Sequence, residues 1–186
     1  DRIAHAVDMI GGAPCIFKLN KGTQGVGVIL CKTINDVFAQ VDIMWKTKQD
    51  FIIQEFIKES SGVDVRAFIV GDKVVASMKR ESKTGDFRSN THQGGEVVKF
   101  ELPQHAQEMA VRATQLTGLN IAGVDMLLSN DDIGFKIIEI NSSPGFEGLE
   151  SATGKNVAKE VVTFAKTLHR MNKNLIISNN TDDIPY

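Results

Sequence analysis

The sequence predicts an α+β fold of antiparallel hairpins covered by amphipathic helices, and three observations carry that prediction. Strand-like apolar segments occur in neighbouring pairs joined by a few turn residues, as in "DVRAFIV" and "KVVASMKR" on either side of Gly71 and Asp72. Other segments repeat apolar residues at helical spacing. At 186 residues, with 42% apolar and 24% charged, the chain is long enough for one large domain or two small lobes and has the composition of a globular protein rather than a disordered one.

Taken in order, Pro14 to Leu19 and Val26 to Lys32 form a hairpin across the glycine-rich "NKGTQG". Thr33 caps a helix, with Asp36 three residues later and Ile34, Val37, Phe38, Val41 and Met44 on its apolar stripe. Strands are expected at 50–57, 64–70 and 73–80, the last two paired. Residues 81–95, "ESKTGDFRSNTHQGG", have no period and many charges, and a loop of that length inside a compact domain is usually functional. A helix over 104–118 ends at Gly118; strands at 121–128 and 135–140 follow; a final amphipathic helix runs from about Asn156 to Met171. The polar stretch from Asn172 to Tyr186 is expected to fray.

The strand "FKIIEIN" carries Glu139 and Asn141 among isoleucines, two residues apart and so on one face. Its partner strand carries Asp125. If the loop between them is odd, for example Asn130 to Gly134, Asp125 stands directly opposite Glu139, and the oxygen ligands suit a hard cation, Mg²⁺ or Mn²⁺. If it is even, the two carboxylates lie on opposite faces and each meets solvent.

In "KLNKGTQGVGV" the glycines Gly22, Gly25 and Gly27 let backbone N–H groups approach an anion, and Lys18 ends the incoming strand. The order of residues is not that of a P-loop, and a strand rather than a helix follows, which also excludes the dinucleotide-binding pattern. A plain hairpin is the alternative. Arg66, Lys79, Arg80 and Arg88, with Asn90 and His92, supply cations and amides that a triphosphate could share with the metal.

The net charge of -2 gives no general attraction to nucleic acid, and no run approaches the roughly 18 apolar residues of a membrane span. Two cysteines, Cys15 and Cys31, without a CxxC pattern, fit a reducing compartment and buried strand positions. A cytoplasmic protein is the expectation, and the start at Asp1 reads as the middle of something longer.

Six stretches in this order, "KLNKGTQGVGV", "IIQEFIKES", "DVRAFIVGDKVVASMKRES", "GDFRSNTHQGG", "GVDMLL" and "IIEINSSPGFEGLE", resemble the RimK-like glutamate ligases of the ATP-grasp superfamily, up to about Arg170. The resemblance implies two α+β lobes that clamp ATP: residues 1–57 as a small lobe with a glycine-rich lid, incomplete at its N-terminus; 58–171 as a large lobe with the metal site; and 172–186 as a flexible tail. It places Lys18 on the ATP phosphates, the lid Gly22, Thr23, Gln24, Gly25 and Gly27 over them, Glu55, Phe56 and Ile57 at the adenine edge, and Asp64 near the ribose. Arg80, Arg88 and Asn90 match phosphate or acyl-phosphate contacts, with Arg80 and Arg88 in the catalytic role. Asp125, Glu139 and Asn141 match the ligands of two Mg²⁺ or Mn²⁺ ions.

The implied activity is ATP-dependent ligation: a carboxylate becomes an acyl phosphate, an amine attacks, and phosphate leaves. By resemblance the amino acid is glutamate and the acceptor the C-terminus of a ribosomal small-subunit protein, with a small molecule or carrier protein as the alternative. The chain is expected to need the portion of the substrate cleft that a further N-terminal domain supplies in such ligases. No membrane or direct nucleic-acid partner is implied, and a homo-oligomer is left open. A non-catalytic nucleotide-binding module would be expected to lose one of the three metal ligands, and a kinase would carry the HRD and DFG motifs, which are missing from the sequence.

Overall fold

The structure is a computed structural model that describes residues 2–21, 26–89 and 95–181, with side chains described for the same residues except 172 and 174–181. Two antiparallel sheets organise it. The first is three-stranded, built from β1 (Cys15–Leu19), β2 (Val28–Cys31) and β3 (Phe51–Glu55) in the order β2-β1-β3. Helices α1 (Arg2–Met9) and α2 (Ile34–Thr47) belong to it: Val7 of α1 and Val37, Val41 and Met44 of α2 pack with Cys15, Phe17 and Cys31 in one apolar cluster. The Thr33 hydroxyl accepts the Asp36 N–H while the Asp36 carboxylate accepts the Thr33 N–H, the reciprocal cap that the sequence predicts.

The second sheet is five-stranded, in the order β6-β5-β4-β7-β8, from β4 (Val63–Val70), β5 (Lys73–Glu81), β6 (Glu96–Lys99), β7 (Ile121–Leu128) and β8 (Phe135–Asn141). Helices cover part of each face. Val65, Ala67 and Ile69 join Val124 and Met126 under α3 (Gln104–Leu116), whose Ala106 and Ala110 are fully buried. Phe68, Val70 and Met78 on the other face pack with Leu149 of α4 (Glu147–Thr153) and Val157 of α5 (Val157–Thr181). Side chains alternate along β4, so the face that carries Phe68 and Val70 also carries Asp64 and Arg66. The candidate site lies on the polar half of this face.

Three departures from the sequence reading have local causes. Helices α1 and α4 and strand β6 are short, at eight, seven and four residues, and α4 begins without a side-chain cap at Phe146, so each leaves only a weak pattern in sequence. Helix α5 continues to Thr181, past the expected stop at Met171, because no proline or glycine interrupts 157–181. The third concerns the β7–β8 hairpin. Leu128 pairs with Phe135, so the loop is 129–134, an even length, which for regular strands would place Asp125 and Glu139 on opposite faces. A bulge at Ile138 corrects this: Asp125 pairs with Glu139 but Met126 pairs with Ile137. Ile137 and Ile140 consequently both pack against the α3 core although they lie three residues apart. The expected pairing is present and the expected odd loop is not.

Candidate functional site

Asp125 lies in the middle of β7, directly opposite Arg66 on β4 and Glu139 on β8. Arg66 donates from Nε to Oδ1 and from Nη2 to Oδ2 of Asp125, both at 2.6 Å. On the neighbouring rung Arg80 of β5 stands opposite Asp64 of β4 and donates from Nε and Nη2 to its two oxygens at 2.6 Å. Arg80 Nη2 also lies 3.0 Å from Asp125 Oδ2. Four charges of alternating sign, Asp64, Arg80, Asp125 and Arg66, are thus linked across three strands, and all four side chains are 14% exposed or less.

Burial in such a place favours the neutral acid, and only close cations offset it. Burial would push the Asp125 carboxyl up, but the Arg66 hydrogen bonds and the charges of Arg80 and Arg66 hold it below the ordinary carboxylate range. For Asp64, burial prevails over the pull of Arg80 and raises its carboxyl above that range.

Beside this buried row lies an exposed one. Lys18 of β1 reaches from the three-stranded sheet to donate to Glu139 Oε2 at 2.8 Å, and Lys136 of β8 donates to Glu55 Oε2 of β3, also at 2.8 Å. The bulge at Ile138 places Lys136, Glu139 and Asn141 on one face, the face toward β1 and β3. The Asn141 side-chain oxygen accepts the Ser143 N–H at 2.9 Å and stands opposite Gly123. A Cβ at Gly123 would meet Pro144 Cβ at 2.7 Å, so glycine lets the turn after Asn141 close against β7.

The first part of the long loop is pinned. Gly62 N–H donates to the Phe87 carbonyl, and Ser82 N–H to the Gly62 carbonyl, each at 2.8 Å. Phe87 meets Phe56 edge-on at a centroid distance of 6.4 Å, and Arg88 donates to Asp86 from Nε and Nη2. Of the predicted adenine edge, Ile57 is buried, Phe56 touches the loop and Glu55 is exposed and paired with Lys136. Gly27, at φ 80°, returns its carbonyl to the Leu19 N–H, and a Cβ there would fall 2.7 Å from the Leu19 side chain. Gly22, Thr23, Gln24, Gly25 and Asn90 lie outside the described residues.

The structure therefore brings together Lys18, Asp64, Arg80, Asp125 and Glu139, with Asn141 two residues along the same strand. Arg88 is paired within its own loop. Sequence reading gave no distinct part to Arg66 or Lys136, because each is defined by the strand opposite it. The spacing of Asp64 and Arg66, two apart on one strand, was the available signal for the first.

Residues 1–165 match the RimK-like ATP-grasp domain family. The chain belongs to that family. Among curated relatives it is 48% identical over 164 residues to a "Probable alpha-L-glutamate ligase" of Nitrosococcus oceani and 46% identical over 164 residues to one of Ectopseudomonas mendocina. Each alignment covers 88% of this chain and 54% of the relative, so the chain spans about half the length of the curated relatives it matches. Solved ATP-grasp ligases share the fold. They include a D-alanine–D-alanine ligase from Bacillus anthracis, with TM-score 0.67, 18% identity and coverage of 91% of this chain and 59% of that one. The ligase PsnB, solved with a minimal precursor, gives TM-score 0.65 at 20% identity, covering 90% of this chain and 52% of the other. Among the described residues no helix is long and apolar enough to cross a membrane.

Proposed function

We propose that the full-length protein is an ATP-dependent carboxylate–amine ligase that joins glutamate to an acceptor carboxylate through an acyl phosphate. The observation that carries this reading is the cross-strand pair Asp125 and Glu139, reached by Lys18 from the other sheet, in a chain of the RimK-like ATP-grasp family. A lobe of residues 1–57 and one of 58–171 form the proposed clamp, supported by the separate apolar cluster under each sheet.

The residues fit a divalent ion. Like charges directly opposite on neighbouring strands destabilise a sheet, and here Arg66 and Arg80 pair with Asp125 while Lys18 pairs with Glu139. With Asn141 Oδ1 the donor set is all oxygen, which suits Mg²⁺ or Mn²⁺. Such ions, two in this proposal, would supply charge neutralisation along the triphosphate. Lys18, released from Glu139, would turn its ammonium to the phosphates, and Glu139 would be free to act as a ligand. Arg80 holds Asp64 and Asp125 in place with its Nε and Nη2 groups. Gly22, Thr23, Gln24, Gly25 and Gly27 would close over the phosphates, while Arg88 and Asn90 would face the transferred phosphoryl group and Glu55, Phe56 and Ile57 the adenine. Asp64, held by Arg80, would lie toward the ribose. Closure of these loops would keep water from the activated carboxylate.

The acceptor in this proposal is the C-terminus of a ribosomal small-subunit protein. The test is incubation of the full-length protein with ATP, Mg²⁺, glutamate and candidate acceptors, ribosomal small-subunit proteins among them, followed by mass spectrometry. The expected result is an acceptor heavier by one or more glutamyl residues, with ADP and phosphate released in step. ADP formation that needs neither glutamate nor acceptor, with no mass added, would contradict it.

A further inference from the structure

The buried row and the exposed pair beside it carry three carboxylates, Asp64, Asp125 and Glu139, against three cations, Arg66, Arg80 and Lys18, and every one of the six has a partner of opposite charge within 3.0 Å. The adjoining Lys136 is shared between Glu55 at 2.8 Å and Asp131 at 3.9 Å. Among the described residues no group of three or more acidic, histidine or cysteine side chains is disposed to hold a metal ion. Among the described residues, Asp125 and Glu139 therefore offer a dication oxygen ligands whose charge Arg66, Arg80 and Lys18 already balance, and hard cations are held by surplus negative charge.

We propose that Arg66 is a positioning residue that makes metal binding conditional on the nucleotide. This rests on the metal–nucleotide reading of the site given above. Arg66, on the strand opposite to the one that carries Glu139, holds both oxygens of the Asp125 carboxylate through two 2.6 Å bonds, and its charge cancels that of Asp125. A divalent ion alone then finds a neutral cluster. The same ion arriving with a triphosphate brings the missing negative charge with it, and Lys18 exchanges Glu139 for a phosphate. Arg66 touches neither reacting group in this scheme; it acts through Asp125.

The test is Mn²⁺ binding to the full-length protein, followed by electron paramagnetic resonance of free Mn²⁺, with and without a non-hydrolysable ATP analogue. Wild type is expected to take up no Mn²⁺ below millimolar concentration alone and, with the analogue, to lower free Mn²⁺ at least tenfold beyond what the analogue does without protein. Arg66→Met, which removes the charge but keeps much of the stem, should bind Mn²⁺ without nucleotide at least tenfold more tightly than wild type, an increase that a purely structural arginine would not produce. Arg66→Lys, which keeps the charge and loses the two-pronged hold, should still refuse the ion alone and should weaken the nucleotide-dependent binding at least tenfold. It carries the test if circular dichroism finds Arg66→Met unfolded. Wild type that binds Mn²⁺ tightly alone, or variants that match wild type in both conditions, would overturn the role of Arg66. Wild type that takes up no Mn²⁺ even with the analogue would instead remove the metal–nucleotide reading on which it rests.

Discussion

Two sets of ion pairs meet on one face of the five-stranded sheet, and they are built for different ends. The row Asp64–Arg80–Asp125–Arg66 is buried and two-pronged, with side chains 8–14% exposed. The pairs Lys18–Glu139 and Lys136–Glu55 are single contacts between the two sheets, with side chains 24–51% exposed. A buried charge without its partner is costly, so the first set must stay intact. Exposed pairs are screened and contribute little, so the second can exchange partners when a ligand arrives. In the proposed site the fixed charges would hold the shape and the exchangeable charges would meet the ligand.

Removing a partner from the buried row should have the largest effect on stability. Arg80→Met leaves Asp64 without its two hydrogen bonds and weakens the hold on Asp125, and chemical denaturation should report a loss of about 3–5 kcal/mol. A smaller effect is expected from Gly123→Ala, where the new methyl meets Pro144 Cβ at 2.7 Å. The turn after Asn141 must shift or the sheet must give, at about 1–3 kcal/mol. Thr33→Ala removes one half of the α2 cap and should cost about 1 kcal/mol by the same measurement. Lys136→Gln, in the exposed set, should leave the thermal midpoint unchanged. A large fall there would mean that the pairs between the sheets are structural, and the contrast between the two sets would be lost.

Much of this was legible in the sequence, and what was not has identifiable causes. The hairpins at 64–80 and 121–140 announce themselves through Gly71, Asp72 and the turn residues 129–134, and Thr33 with Asp36 marks the start of α2. The pairing of Asp125 with Glu139 was expected from an odd loop, whereas the loop is even and the bulge at Ile138 restores the register. The bulge shows in the sequence only as a switch of the apolar positions from Phe135 and Ile137 to Ile140, and among three isoleucines that switch does not mark which residue is extra. Arg66 was visible as a basic residue near the acids, but its commitment to Asp125 follows from β4 lying beside β7, a long-range pairing that local pattern does not encode. Arg80 was expected to contact phosphate, and its tie to Asp64 depends on the β4–β5 register in the same way.

The contrast turns on Glu139, which belongs to the exchangeable set by exposure and to the proposed ligand set by its place opposite Asp125. Glu139→Gln in the full-length protein, assayed for both thermal midpoint and ATP-dependent glutamate addition, tests it most directly. The account predicts an unchanged midpoint with turnover lower by at least about a hundredfold, roughly 2.7 kcal/mol of transition-state stabilisation. Turnover within about threefold of wild type would contradict it, because Glu139 would then be a surface carboxylate paired with Lys18 and nothing more.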